Sequence, residues 1–295
     1  MNYQIISDGA CDLPKELTES NNIEIIPFYV SFDTVNYQKE MIEVEVREFY
    51  QQMVDHEGVY PKSACPSSHD YYEIYEKYVK QGISILSITI TEKFSGSMQA
   101  AMTAKDMLLE EYPDAKIEIV DSMMNTVLEG LFVLEAVKLR DRGATLEETV
   151  ARLLEIRDSG RIFFTVGDTE YLAHGGRIGK VANIAASLLN IKPLITMKEG
   201  EIFSSGVAHS RKKSMSKVME LLMQYIKEFS VDMKDYSLCI GYGYSKEEAE
   251  QFCTMALDKL GALGVKEIPM YQIGATVGVH TGPYPLGFGI VKCAK

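Results

Sequence analysis

The first 160 residues alternate short apolar runs with stretches of helical spacing, and that alternation restricts the fold more than any other feature of the chain. Tyr3 to Ile6 reads as a strand, and Asp12-Leu13-Pro14 as the capped start of a helix. Ile23 to Phe32 is a second strand candidate, interrupted at Pro27. Val46 to His56 and Tyr71 to Val79 have helical spacing, and Ile83 to Ile90 (ISILSITI) reads as a short buried strand. A helix over Gln99 to Glu111 leads to a strand at Lys116 to Val120, and a longer helix spans Thr126 to Arg140. Strands separated by helices of this length imply right-handed βαβ units and a parallel sheet.

The pattern changes after a helical stretch at Leu146 to Arg157. Ile191 to Met197 and Glu201 to His209 flank Lys198-Glu199-Gly200, which reads as a hairpin with glycine in its turn. Helices are expected at Lys212 to Phe229 and Lys246 to Leu260, alternating with strands at Leu238 to Gly243 and Val265 to Tyr271. A last strand covers Leu286 to Val291. The expected fold is therefore α/β: an N-terminal parallel-sheet domain over residues 1–160, then a C-terminal α+β domain over residues 161–295 with a largely antiparallel or mixed sheet. No repeat or low-complexity linker separates the halves, so they are expected to pack tightly.

A chain of 295 residues has ample length to bury a core, and its formal net charge of -12 disfavours nucleic acid and anionic membrane surfaces as partners. The five cysteines form no C-x-x-C pair and their number is odd, which suits a reducing cytoplasm better than a secreted disulfide framework. The first residues lack a basic segment followed by an apolar run, so no signal peptide is read there. No apolar stretch approaches the roughly 18 residues of a membrane span, so stable membrane insertion is not expected.

Three loops place small hydroxyl residues and glycine next to strand ends, the edge where open parallel sheets bind ligands. They are Ser7-Asp8-Gly9, the Lys62 to Ser68 segment containing Ser63 and Cys65, and Phe94-Ser95-Gly96-Ser97. At a helix amino terminus, Ser95 and neighbouring N–H groups would converge on an anion with the helix dipole behind them. Equally, Ser95 or Ser97 caps its own helix, and Ser63 and Ser67 are turn residues. A second cluster runs from Asp168 to Gly179; its glycines suit an ordinary helix end, and Arg177 and Lys180 either bind an anion or are solvated. A third runs from Ile273 to Pro283, where glycines around His280 let backbone approach a ligand, although a lone histidine is often structural.

Several chemistries lack their motifs. There is no G-x-x-x-x-G-K-[ST] phosphate loop, and Phe94-Ser95-Gly96-Ser97 lacks the first glycine of a G-x-S-x-G nucleophile elbow. No H-E-x-x-H or paired Cys/His set suggests a metal. Met102, Met107, Met215, Met219 and Met223 read as core filling. The basic run Arg211-Lys212-Lys213 opposes its helix dipole, so it is either a solvated helix start or a docking site for a partner or phosphate.

Taken together, these segments resemble the DegV family across nearly the whole chain. The family's SDS-x-x-DLP-like opening is matched by SDGACDLP from Ser7, its TSQPS-like segment by SACPS from Ser63, and its LSGTYQSA-like segment by FSGSMQAA from Phe94. The most specific matches are DTEYLAHGGRIGKVANIAASLLNIKPLI from Asp168 and IGATVGVHTGP from Ile273. The resemblance implies a two-domain protein with a long-chain fatty acid between its domains and no other cofactor. It implies the fatty-acid-binding subunit of bacterial fatty acid kinase, whose separate kinase subunit, related to dihydroxyacetone kinases, forms an acyl phosphate for phospholipid synthesis. On that reading the chain is not itself the enzyme. Ser63 and Ser95 would bond the carboxylate, Gly96, His280, Thr281 and Arg177 would surround it, and Arg211 would belong to the kinase-docking segment. Gly9, Ala64, Cys65 and Tyr284 depart from the family pattern. The competing expectations are a serine hydrolase using Ser95 and His280 with an acid such as Asp8, and a carrier of another acidic amphiphile.

Overall fold

The computed structural model describes residues 3–167, 169–177 and 191–295. In the first half, β1 (Tyr3–Asp8), β2 (Ile23–Ile26), β6 (Ser84–Thr89) and β7 (Ile117–Asp121) form a wholly parallel sheet of order β2-β1-β6-β7. Ile85 to Thr89 of the ISILSIT run are buried because both faces of this sheet are covered, the arrangement that makes parallel strands continuously apolar. Helices Ser68–Val79 and Ser97–Glu111 pack on one face through Tyr71, Tyr75, Ala101 and Leu108. Helix Thr126–Asp141 covers the other.

The second sheet has six strands in the order β10-β9-β8-β13-β11-β12. These are β8 (Arg161–Thr165), β9 (Lys192–Lys198), β10 (Glu201–Ala208), β11 (Tyr236–Tyr242), β12 (Met270–Gln272) and β13 (Leu286–Lys292). Every pairing is antiparallel except β11 with β12, so the expected mixed sheet is present. Glu199 and Gly200 form the β9–β10 turn, both with positive φ (53° and 77°), where glycine carries no steric penalty. Helices Arg211–Glu228 and Lys246–Leu260 cover the outer face through Met215, Met219, Leu222 and Phe252. Helix Thr126–Asp141 lies between the two sheets, and its Leu128, Leu131 and Phe132 share one apolar cluster with Ile5 of β1 and Ile162 of β8. The halves thus pack through a common core rather than across a linker.

Four local expectations need correction. Asp12 does not start a helix; it adopts φ 51° after a short 3₁₀ turn at Gly9–Cys11, and the helix is Lys15–Ser20. The strand expected from Val265 forms only at Met270–Gln272. Ala275–Thr281 is a short helix rather than a glycine loop. Met102 and Met107 are exposed and fill no core, unlike Met215 and Met219. A third, small antiparallel sheet is also present: β4 (Gln38–Lys39), β3 (Tyr29–Ser31) and β5 (Lys62–Ala64). With helix Val46–Asp55 it forms an excursion from the first half that packs Val30, Phe49, Tyr50 and Met53 against Ala275 and Val279 of the second. No helix among the described residues is long and apolar enough to cross a membrane.

Candidate functional site

Ser63 sits on β5, fixed opposite Val30 of β3, and its Oγ lies 3.1 Å from His280 Nε2. Residues 217 positions apart are thereby joined across the two halves. Ser95 and Gly96 precede helix Ser97–Glu111, and Ser95 Oγ accepts a hydrogen bond from the Ser97 amide at 3.2 Å. The capping reading of Ser95 thus holds locally, but one N–H leaves a hydroxyl free to donate. Ser97 has a structural role: its buried hydroxyl donates to Asp8 Oδ2 at 2.6 Å and bonds Tyr71 Oη at 2.5 Å. Arg177 is exposed and bridges two loops, donating from Nε to Phe94 O at 3.2 Å and from Nη1 to Gly175 O at 2.9 Å.

These groups meet in a cavity of about 680 Å³ whose walls include Ser63, Cys65, Ser95, Gly96, Arg177, His280 and Thr281. A second space of about 430 Å³ adjoins it, lined almost wholly by apolar groups such as Ile162, Met197, Leu286 and Phe288. Asn125, Phe164, Ile202, Val277 and Thr281 line both, so the two spaces adjoin across these shared walls. A head of hydroxyl, imidazole and guanidinium groups thus lies beside an apolar space, the two together tracing the course of an apolar tunnel.

The candidate residues Ser63, Ser95, Gly96, Arg177, His280 and Thr281 are all brought together. Arg211 is not among the cavity walls; its guanidinium forms a two-pronged ion pair with Glu248, Nε to Oε1 at 2.7 Å. Asp168, Ile178, Gly179 and Lys180 lie outside the described residues. Asn125 was missed: it precedes helix Thr126–Asp141 without capping it, and it lines both cavities. The hydrolase triad is not assembled. His280 Nε2 meets Ser63 rather than Ser95, and Asp8 is buried with its carboxylate accepting from Ala10 N, Ile90 N and Ser97 Oγ.

The family described as "Uncharacterised protein, DegV family" matches residues 2–293. The chain belongs to the DegV family. A DegV domain-containing protein of Clostridium perfringens is 32% identical over 282 residues, covering 95% of this chain and 94% of that protein. Among solved structures, a stearic-acid-binding protein from Eubacterium ventriosum is 39% identical with a TM-score of 0.94, covering 99% of both chains. A fatty-acid-binding DegV family protein from Thermus thermophilus is 26% identical with a TM-score of 0.88, covering 99% of this chain and 100% of that one.

Two groups of this DegV chain, the buried Asp8 and the half-buried His280, titrate in the same pH range with opposite effects. Burial, only partly offset by bonds from Ser97 and the Ile90 and Ala10 amides, pushes Asp8 from 3.8 up to about 6. Its contribution to stability is full below the ordinary carboxylate pKa and is lost as pH rises through about 6. Burial, with the Arg177 and Lys62 charges adding to it, pushes His280 from 6.5 down to about 4. Its contribution is present above 6.5 and is lost as pH falls through about 4. Each shift corresponds to about 3 kcal/mol. As pH rises from 4 to 6, Asp8→Asn should therefore gain about 2 kcal/mol relative to the parent, and His280→Gln should lose a similar amount. Urea unfolding at each pH would measure this, and profiles parallel to the parent's would refute it.

Proposed function

We propose that this chain binds a long-chain fatty acid, with its acyl chain in the apolar tunnel and its carboxylate at Ser63, Ser95 and His280. The observation that carries the reading is that the polar head cavity directly adjoins an apolar one, with Val277 and Phe164 lining both. The ligands of the Eubacterium ventriosum and Thermus thermophilus relatives support it. Burying a 16-carbon chain at about 0.8 kcal/mol per methylene contributes roughly 12 kcal/mol before ordering costs, enough for firm retention. Hydrogen bonds at the head then fix where the carboxylate lies rather than supplying most of the affinity. Gly96, Thr281 and Arg177 complete the head, with Arg177 and Lys62 lending positive potential while His280 stays neutral at pH 7. In the proposed division, residues 1–160 and 161–295 supply opposite walls.

The function extends to presentation. The carboxylate, held near the exposed Arg177 and Cys65, is offered in the cytoplasm to a separate dihydroxyacetone-kinase-like subunit that supplies ATP, magnesium and phosphoryl transfer. Arg211 belongs to the docking face, its ion pair with Glu248 setting the guanidinium in place. Binding is read directly at Cys65, an exposed thiol in the cavity wall. A bulky maleimide should label Cys65 at least tenfold more slowly when the delipidated protein is loaded with stearate. Equal rates would contradict the reading. Reconstitution with such a kinase and Mg-ATP should yield an acyl phosphate, trapped by hydroxylamine, that the chain alone does not make.

A further inference from the structure

Helix Ala275–Thr281 carries His280 and Thr281 into the site, yet it has no cap of its own. The residue before it is Gly274, which has no side chain to offer, and a Cβ there would run into the carboxylates of Asp12 and Glu40. A helix of 7 residues with unmet first-turn N–H groups does not hold its own shape. Glu40 meets them from 235 positions away in sequence. Its two oxygens accept from the Ala275 amide, from the Thr276 amide at 3.1 Å and from the Thr276 hydroxyl. Glu40 is 2% exposed, and among the described residues no lysine or arginine pairs with it.

We infer that Glu40 is the positioning residue of the binding site: by gripping the first turn of helix Ala275–Thr281 it sets where His280 and Thr281 meet the ligand's carboxylate. This rests on the fatty-acid reading given above. The same excursion grips the helix at both ends. Glu40 holds the start, its own amide tied to Phe28 O at 2.9 Å, and Ser63 holds His280 near the finish. Between them Tyr50 packs so close to Gly278 that a Cβ there would lie 2.7 Å from the tyrosine oxygen. The site's first-half and second-half groups are therefore in register through one strap, not through two independently placed walls.

Charge-assisted bonds to a buried carboxylate are the strong ones, and an amide in its place supplies one acceptor where two are used. Glu40→Gln should weaken stearate binding by roughly 10- to 100-fold. In the ligand-free protein the His280 ring ¹⁵N signals should move, and its titration should shift from about 4 toward 6.5. Leu108→Ala, in the separate cluster against the parallel sheet, serves as the stability-matched control and should lower Tm without changing either readout. Thr276→Val, which deletes a single donor, should show the same two changes at a few-fold scale and stands in if Glu40→Gln does not fold. Stearate affinity within twofold of the parent together with unmoved His280 signals would overturn the inference. A parent protein that takes up no stearate would sink the fatty-acid reading instead, while the His280 signals still decide whether Glu40 places that ring.

Discussion

Val277→Trp should reduce fatty-acid affinity by more than 1,000-fold while leaving the protein folded. Val277 lines both the polar cavity and the apolar space, so an indole there obstructs an acyl chain running from one into the other. An acyl chain stopped at that point forfeits the burial of every methylene beyond it, and six or more of these at about 0.8 kcal/mol each exceed 4 kcal/mol. Val277 belongs to the buried apolar cluster but borders open space in both cavities, which takes up part of the indole's bulk. Isothermal titration with stearate and with an eight-carbon acid separates the cases. The long acid should lose nearly all its affinity and the short acid much less. Similar losses for both would place the acyl chain somewhere other than this tunnel.

The second large effect concerns the head. Removing both hydroxyls in Ser63→Ala/Ser95→Ala should weaken stearate binding by roughly 100-fold or more, since each bond to a charged group is worth about 1.5–3 kcal/mol. Ser63 also loses its contact with His280 Nε2, which frees the ring to turn away from the cavity. Octadecanol, with the same chain and no carboxylate, should bind parent and double variant within a few-fold of each other. If the alcohol lost as much as the acid, the hydroxyls would be supporting the cavity's shape rather than recognising an anion.

Much of this architecture can be read from the chain without coordinates. Leu146–Arg157 and Lys246–Leu260 have the bounds their periodicity predicts, because capping boxes or serine caps mark their starts and apolar spacing marks their bodies. The parallel sheet follows from short apolar runs such as ISILSITI divided by helices. Ser63 and Ser95 stand out because hydroxyl residues sit between a strand and a helix. What escapes such reading depends on distant partners. Ala275–Thr281 carries three glycines within or beside it and reads as loop; Glu40, far away in sequence, makes it a helix. Asn125 looks like an ordinary helix cap, and only the second sheet, folded against that helix, turns its side chain into a cavity wall. The small sheet of β3, β4 and β5 escapes because its strands are two or three residues long.

Tyr284 shows how a departure from the family pattern is absorbed. Its ring packs against Gly167, where a Cβ would lie 3.3 Å away, and meets Tyr244 edge-on at 6.2 Å. Neither cavity is walled by Tyr284, so the substitution alters the rim around Pro283 and Pro285 rather than the tunnel itself.

The most direct measurement is native mass spectrometry of the freshly purified protein, followed by organic extraction and identification of what is released. A single adduct in one-to-one amount that extracts as a long-chain fatty acid, and that is missing from Val277→Trp, is the expected result. A bare mass that stays unchanged after incubation with stearate would contradict the central claim.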